Sequence, residues 1–299
     1  MQINSPVAAG RASRLPRLRV FSVMLLATLL LACAGTPSRV NPNADPSQQR
    51  VHENLNAVLW FQRAAEYEAS LLATYANASR ALAVARRSPH FSAALEQPNP
   101  PPGLRPAVVV DIDETILDNS PYQARLILNG GSFEEPSWRA WCNERQAKAI
   151  PGALNFAQAA SLNGVEIFYV SNRDVSVLQA TIDNLRALGF PFADERHVLL
   201  RDRPRGWGDK GPRRIEILKT HQILLMIGDN LGDFSDDYKG SAEQRMALIN
   251  EHRDWWGERW FMLPNPMYGS WEQNLLDYDY SLDAAAQYQR KAGKLRLAQ

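Results

Sequence analysis

Four short apolar runs of β-type residues, set apart by helical stretches, constrain this chain more than any other feature. They are Ala107–Val110, Val165–Val170, Val198–Leu200 and Leu224–Ile227. None alternates apolar with polar residues, so each is expected to be buried on both faces. Between them, Ala153–Leu162, Val175–Leu188 and Arg213–His221 repeat apolar residues at threes and fours, the pattern of helices with one buried stripe. Strand and helix in alternation predict an α/β fold, a parallel sheet with helices on both faces. Trp260–Leu263 is a further candidate strand, and Gln273–Leu297 reads as helical. Upstream, Leu55, Val58, Leu59, Ala65, Leu71, Leu72, Tyr75 and Leu82 predict one long helix or two in series, within a helical region over 53–90. Gln97-Pro-Asn-Pro-Pro-Pro-Gly103 then breaks the chain. Asn119–Ile150 is too long for a simple connection and is expected to carry inserted helices, a small cap over about 119–150.

In open parallel sheets, ligands bind at the carboxyl ends of the strands. The first predicted strand runs into Asp111-Ile-Asp113-Glu-Thr115. Two positions apart on a strand, Asp111 and Asp113 would face the same side. One carboxylate can then attack phosphorus while the other exchanges a proton with the leaving oxygen. The second strand ends Ser171-Asn172-Arg173, where a hydroxyl and backbone N–H groups could hold a phosphoryl oxygen. The fourth ends Gly228-Asp229-Asn-Leu-Gly-Asp233, acidic residues that suit a hard cation such as Mg²⁺. Gly208-Asp-Lys210-Gly opens a predicted helix and would bring a point charge to the site. Singly, each has a plainer reading: a helix cap, a turn, a strand-end serine, a surface lysine.

Together these elements resemble the haloacid dehalogenase superfamily, in the order Asp-x-Asp-x-Thr, Ser, Lys, Gly-Asp-x-x-x-Asp. Asp111–Tyr122, Ser171–Arg173, Gly228–Phe234 and Leu263-Pro-Asn-Pro-Met-Tyr-Gly-Ser-Trp271 narrow the resemblance to the class C acid phosphatases of the lipoprotein-e type. The resemblance covers about 53 to 271. It implies a Rossmann-like sheet with a smaller helical cap, and Mg²⁺-dependent hydrolysis of phosphomonoesters, among them nucleoside monophosphates. It implies Asp111 as nucleophile and metal ligand, and Asp113 as acid and base with its backbone carbonyl on Mg²⁺. Asp229 becomes a further metal ligand with Asp233 in support. Ser171, Asn172 and Lys210 hold the phosphoryl group, and Tyr122, Trp138 and Tyr268 fall where the family keeps aromatics near the leaving group. A homodimer is expected on the resemblance alone.

The N-terminus has its own logic. Arg11, Arg14, Arg17 and Arg19 precede the apolar run Phe21–Leu31, too short to span a bilayer comfortably, so residues 1–33 read as an export signal. It closes on Leu30-Leu31-Ala32-Cys33, which looks like a bacterial lipobox and implies acylation of Cys33 and an outer-membrane anchor. Residues 34–52 are a polar, Pro-rich tether, and 53–299 read as one phosphatase domain. Lys and Arg total 33 against 32 Asp and Glu, a formal net charge of +1 that argues against binding a nucleic acid polymer. Beyond Cys33 only Cys142 remains, which excludes an internal disulfide in the processed chain. Two alternatives stay open at this point: a phosphotransferase acting on alcohols or nucleosides, and a surface lipoprotein that binds a ligand without catalysis.

Overall fold

The computed structural model describes residues 52–297. The expected signal, Cys33 and nearly all of the tether lie outside these residues. Two helices in series open the domain, α1 (Leu55–Arg63) and α2 (Ala65–Ala85), separated by extended backbone at Ala64. Next come β1 (Arg105–Val110), β2 (Leu117–Asp118), α3 (Ser120–Asn129), α4 (Glu135–Glu144) and β3 (Lys148–Ala149). Then follow α5 (Ala153–Leu162), β4 (Glu166–Asp174), α6 (Leu178–Leu188), β5 (Val198–Arg201), α7 (Gly211–Leu218) and β6 (His221–Gly228). The chain closes with α8 (Ala242–Glu251), β7 (Trp260–Met262), α9 (Ser270–Leu275) and α10 (Ala284–Gly293).

The main sheet has the order β5-β4-β1-β6-β7, and every pair in it is parallel. The chain therefore builds outward from β1 through β4 and β5, then returns to the other side of β1 to add β6 and β7. That reversal puts the topological switch point between the carboxyl ends of β1 and β6, where open sheets hold ligands. Both sheet faces are covered, which is why the strands read as continuous apolar runs. Val108, Val110, Ile167, Tyr169 and Ile227 face a core with Tyr75 of α2 and Phe156 of α5. Ala107, Val109, Phe168, Val170 and Met226 face the opposite core with Ile217 of α7, Phe234 and Trp260. Each buried aliphatic side chain contributes roughly 1.5–3 kcal/mol. A bulge lies between Ala107 and Val108 where they pair with Ile223 and Leu225.

The insert after β1 is the expected cap. β2 and β3 pair antiparallel at its base, and α3 and α4 end on residues in the left-handed region, Gly130 and Arg145. Helix α1 lies along α3, with Gln62 Nε2 donating to Ser120 Oγ at 3.0 Å. Two expectations change. The helix over Arg213–His221 ends at Leu218, because His221 belongs to β6, where it is buried and sits 3.1 Å from Glu166 at the start of β4. Gln273–Leu297 is not one helix. Asp277 and Tyr278 adopt positive φ, Asp279 accepts from Ser281 N–H, and Asp283 starts a new helix by capping Ala286 N–H. Short polar side chains that bond their own backbone compete with the helix there.

Candidate active site

Asp111 is the first residue past β1, and its N–H donates to Ile227 O of β6 at 2.9 Å. It therefore sits at the switch point, almost fully buried. β6 ends at Gly228, and Asp229 follows at once. Asp233 is returned to the same spot by a short 3₁₀ turn, Leu231–Asp233. Its carboxylate accepts from Asn230 N–H at 2.8 Å, the reciprocal half of a capping box begun by Asn230. Gly228 makes this return possible, since a Cβ there would lie 2.1 Å from Asp233 Oδ2. One carboxylate oxygen each from Asp111, Asp229 and Asp233 then lie within 4.8 Å of one another.

Lys210, at the start of α7, is the cation of this group. Its ammonium contacts Asp111 closely and Asp233 at 2.7 Å, and it is buried. Three carboxylates against one ammonium leave two negative charges. Burial drives the Asp111 carboxyl well above its ordinary pKa, Lys210 opposes this, and Asp233 and Asp113 add to it. Asp229 is pushed up by burial and by the neighbouring Asp233 and Asp111. Burial disfavours the Lys210 ammonium, but the two carboxylates outweigh it and raise its pKa. Hard oxygen donors, close convergence and uncompensated negative charge fit a divalent cation such as Mg²⁺. Asp229 is steadied from outside the cluster by Asn265 Nδ2 at 2.7 Å.

Asp113 has different company. The strand ends at Val110, and Asp113 lies beyond it, followed at once by Glu114 with φ 57°. The Asp113 carboxylate turns toward β4 and accepts from Ser171 Oγ, Arg173 Nε and Asn119 Nδ2, each at 2.9 Å. The expected same-side pair on one strand is thus a pair beyond the strand, with Asp111 at the cation group and Asp113 across from it. Thr115, buried below, gives its carbonyl to Tyr75 Oη at 2.7 Å.

The family profile of the HAD superfamily, subfamily IIIB (Acid phosphatase), matches residues 30–271. The chain belongs to this family. The class C acid phosphatase from Bacillus anthracis superposes with a TM-score of 0.73 at 35% identity, covering 82% of this chain and 98% of that one. The same class C enzyme with tungstate bound gives 0.74 at 34% identity, with the same coverage. Among curated relatives, the stem 31 kDa glycoprotein of Glycine max is 29% identical over 166 residues, 54% of this chain and 58% of the relative. Acid phosphatase 1 of Solanum lycopersicum is 25% identical over 175 residues, 54% of this chain and 57% of that protein. The chain thus spans somewhat more than half the length of these curated relatives.

Within the subfamily IIIB fold, Asp111, Lys210, Asp229 and Asp233 converge as one group. Ser171 is fully buried and directs its hydroxyl at Asp113. Asn172 is exposed, and its Oδ1 accepts from Arg213 at 2.6 Å. The Asp113 carboxylate stands outside the acidic group, leaving only its backbone for the metal contact that the resemblance implies. Tyr122 and Trp138 are buried against each other, ring centroids 5.1 Å apart, and Tyr122 Oη pairs with Ser137. Tyr268 is half-buried, in the segment whose Asn265 reaches Asp229. Four residues of the site were given no role from the sequence, although all but Arg213 lie within the motifs that carry the resemblance: Asn119, Arg173, Arg213 and Asn265. Each acts through a contact between segments far apart in the chain. Arg213, for example, is buried and donates to the Ser171 carbonyl from α7.

Proposed function

We propose that the chain hydrolyses phosphomonoesters with the help of Mg²⁺, through an aspartyl-phosphate on Asp111. The observation that carries this reading is Asp111 itself, in contact with Lys210 inside a three-carboxylate group at the switch point. Asp111, Asp229 and Asp233 would hold Mg²⁺, with the backbone carbonyl of Asp113 as a further contact. Bound there, the cation offsets repulsion between nucleophile and substrate and stabilises charge developing on the phosphoryl oxygens. Asp111 attacks phosphorus and the ester P–O bond breaks, with Asp113 giving its proton to the leaving oxygen. Asp113 then takes a proton from water, which attacks phosphorus, frees phosphate and restores Asp111. Lys210 neutralises one phosphoryl oxygen as it swings from its carboxylate partners, and Ser171, on turning its hydroxyl from Asp113, and the Asn172 amide hold the others.

For the substrate we propose 5′-nucleotides, accepted broadly. A cleft of about 570 Å³ is lined by Trp60, Pro264, Asn265 and Pro266 among others, and Asn265 of its wall donates to Asp229. Its size suits a nucleoside and its apolar walls are tolerant of base identity. Tungstate, the oxyanion bound by the Bacillus anthracis relative, has a shape close to that of phosphate. Tyr268 sits in the same segment as the cleft wall. Tyr122 and Trp138 are supported only as the wall behind the site. We further propose anchoring through acylated Cys33 at the bacterial outer membrane, and a homodimer; palmitate labelling of Cys33→Ser and light scattering test these.

The test of the activity is turnover of p-nitrophenyl phosphate and a panel of nucleoside monophosphates with Mg²⁺ and with EDTA. The reading expects metal-dependent release of phosphate that Asp111→Asn abolishes. A folded Asp111→Asn protein with full activity would contradict it, and phosphate appearing only on added alcohols would favour transfer over hydrolysis.

A further inference from the structure

Asp113 must meet the same point in space twice, once to give a proton to the ester oxygen and once to take one from water. It lies two residues from Asp111, on a loop that has already left the strand, beside a cation-binding group that would draw any free carboxylate. Something must hold it away from that group. The side chain that does so is Arg173, on β4.

Arg173 is 2% exposed and every arm of its guanidinium is engaged. Nε donates to Asp113 Oδ1 at 2.9 Å, and a terminal nitrogen reaches the same oxygen at 2.9 Å. The other terminal nitrogen donates to Thr181 Oγ1 of α6 at 3.1 Å, and Asn119 Oδ1 of the cap accepts at 3.3 Å. Asn119 in turn donates to Asp113 and accepts from Trp141 Nε1 at 2.8 Å. The Trp138 ring lies 5.5 Å from the guanidinium carbon, within reach of a cation–π contact. Arg173 N–H also donates to Ser171 Oγ, which leaves the hydroxyl proton free to point at Asp113. Cap, β4 and α6 thus fix one planar fork, and the fork fixes one carboxylate oxygen. Oδ2 receives only the Ser171 hydroxyl.

We propose that Arg173 is the positioning residue that aims Asp113 at the leaving oxygen, with Trp138 and Asn119 of the cap bracing it; this rests on the reading of Asp113 as acid and base. Trp138 then serves the chemistry from behind, by holding Arg173, rather than by stacking on substrate. A planar fork shared among three elements is not replaceable by an ammonium, which offers one point charge on a flexible stem.

A residue that aims an acid leaves a signature that a merely structural residue does not. p-Nitrophenolate departs as a stabilised anion and needs little help from an acid, whereas the alkoxide of a nucleoside 5′-monophosphate needs a proton. General acid catalysis contributes about 10²–10⁴-fold. Arg173→Met is therefore expected to lower kcat/KM, which runs only as far as departure of the leaving group, by roughly 100-fold on the nucleotide and by less than about tenfold on p-nitrophenyl phosphate, while kcat, which includes hydrolysis of the shared aspartyl-phosphate, falls on both. Arg173→Lys, which keeps the charge and loses the fork, is expected to show the same selectivity at about tenfold. Equal losses of kcat/KM on both esters, or wild-type rates in both variants, would overturn the proposal. Should Arg173→Met fail to fold, Arg173→Lys decides alone, with its melting temperature and its response to Mg²⁺ as checks on the fold. Asp113→Asn is the control: it must show the same selective loss on the nucleotide. If it does not, the role given to Asp113 fails, whatever Arg173 does.

Discussion

Removing one carboxylate from the acidic group should change how the protein responds to Mg²⁺ more than it changes the fold. In Asp229→Asn an amide replaces a carboxylate whose oxygen lies within 4.8 Å of oxygens of Asp111 and Asp233. Two ionised carboxylates at that distance repel by about 3.5 kcal/mol at an effective dielectric of 20. Lys210 offsets part of this; burial first, and the remaining repulsion after it, raise the Asp111 and Asp229 carboxyls above their ordinary pKa in the metal-free protein. Carboxyls raised in the folded state contribute stability that is complete below their unfolded pKa, near 4, and is lost as pH rises through their folded values. Metal-free wild-type protein should therefore melt lower at pH 7 than at pH 5 on account of these groups. Mg²⁺ competes with their protons, so its stabilising effect should grow over the same interval. At a hundred times its dissociation constant a ligand adds about 2.7 kcal/mol, or roughly 5–11 °C for a domain of this size. Differential scanning fluorimetry of EDTA-treated protein, titrated with Mg²⁺ at both pH values, measures this. Asp229→Asn without metal should melt no lower than wild type at pH 7, and its Mg²⁺ shift should fall below about 2 °C. A wild-type protein with no Mg²⁺ shift at pH 7, or a variant that keeps the full shift, would refute the reasoning.

Three further outcomes follow from the same geometry. Lys210→Met leaves Asp111 and Asp233 without their cation, and should cost about 3–5 kcal/mol in the metal-free protein by chemical denaturation and at least roughly 100-fold in kcat. Gly228→Ala puts a Cβ 2.1 Å from Asp233 Oδ2; the displaced carboxylate should weaken the Mg²⁺-induced melting shift and lower kcat while the far-ultraviolet circular dichroism stays unchanged. Cys142 is buried, with a thiol that burial pushes up to about 12, so it should resist a thiol-specific reagent in native protein and react once denaturant is added.

The sheet was legible because its strands are buried on both faces. Runs such as Val108–Val110 and Leu224–Ile227 admit few other placements, and their order along the chain with helices between them leaves a parallel sheet. Asp111, Lys210, Asp229 and Asp233 were legible as strand-end and helix-start residues, since topology alone carries such positions to one edge. The break at Asp277–Asp283 was not, because an apolar period says nothing about aspartates that bond their own backbone. Nor was the environment of Asp113. Its partners Asn119, Ser171 and Arg173 come from a cap and a neighbouring strand, and only the fold brings them to its carboxylate. The aromatics show the same limit: Tyr122 and Trp138 are buried partners of one another, which sequence position could not reveal.

We propose that the phosphoryl group passes to Asp111 before water takes it. Rapid acid quench during turnover of p-nitrophenyl phosphate with Mg²⁺, followed by mass mapping of peptides, tests it most directly. A phosphoryl adduct on Asp111, labile to hydroxylamine and missing from Asp111→Asn, is the predicted result. Turnover with no adduct in the first cycle, or an adduct on any other residue, would contradict the account.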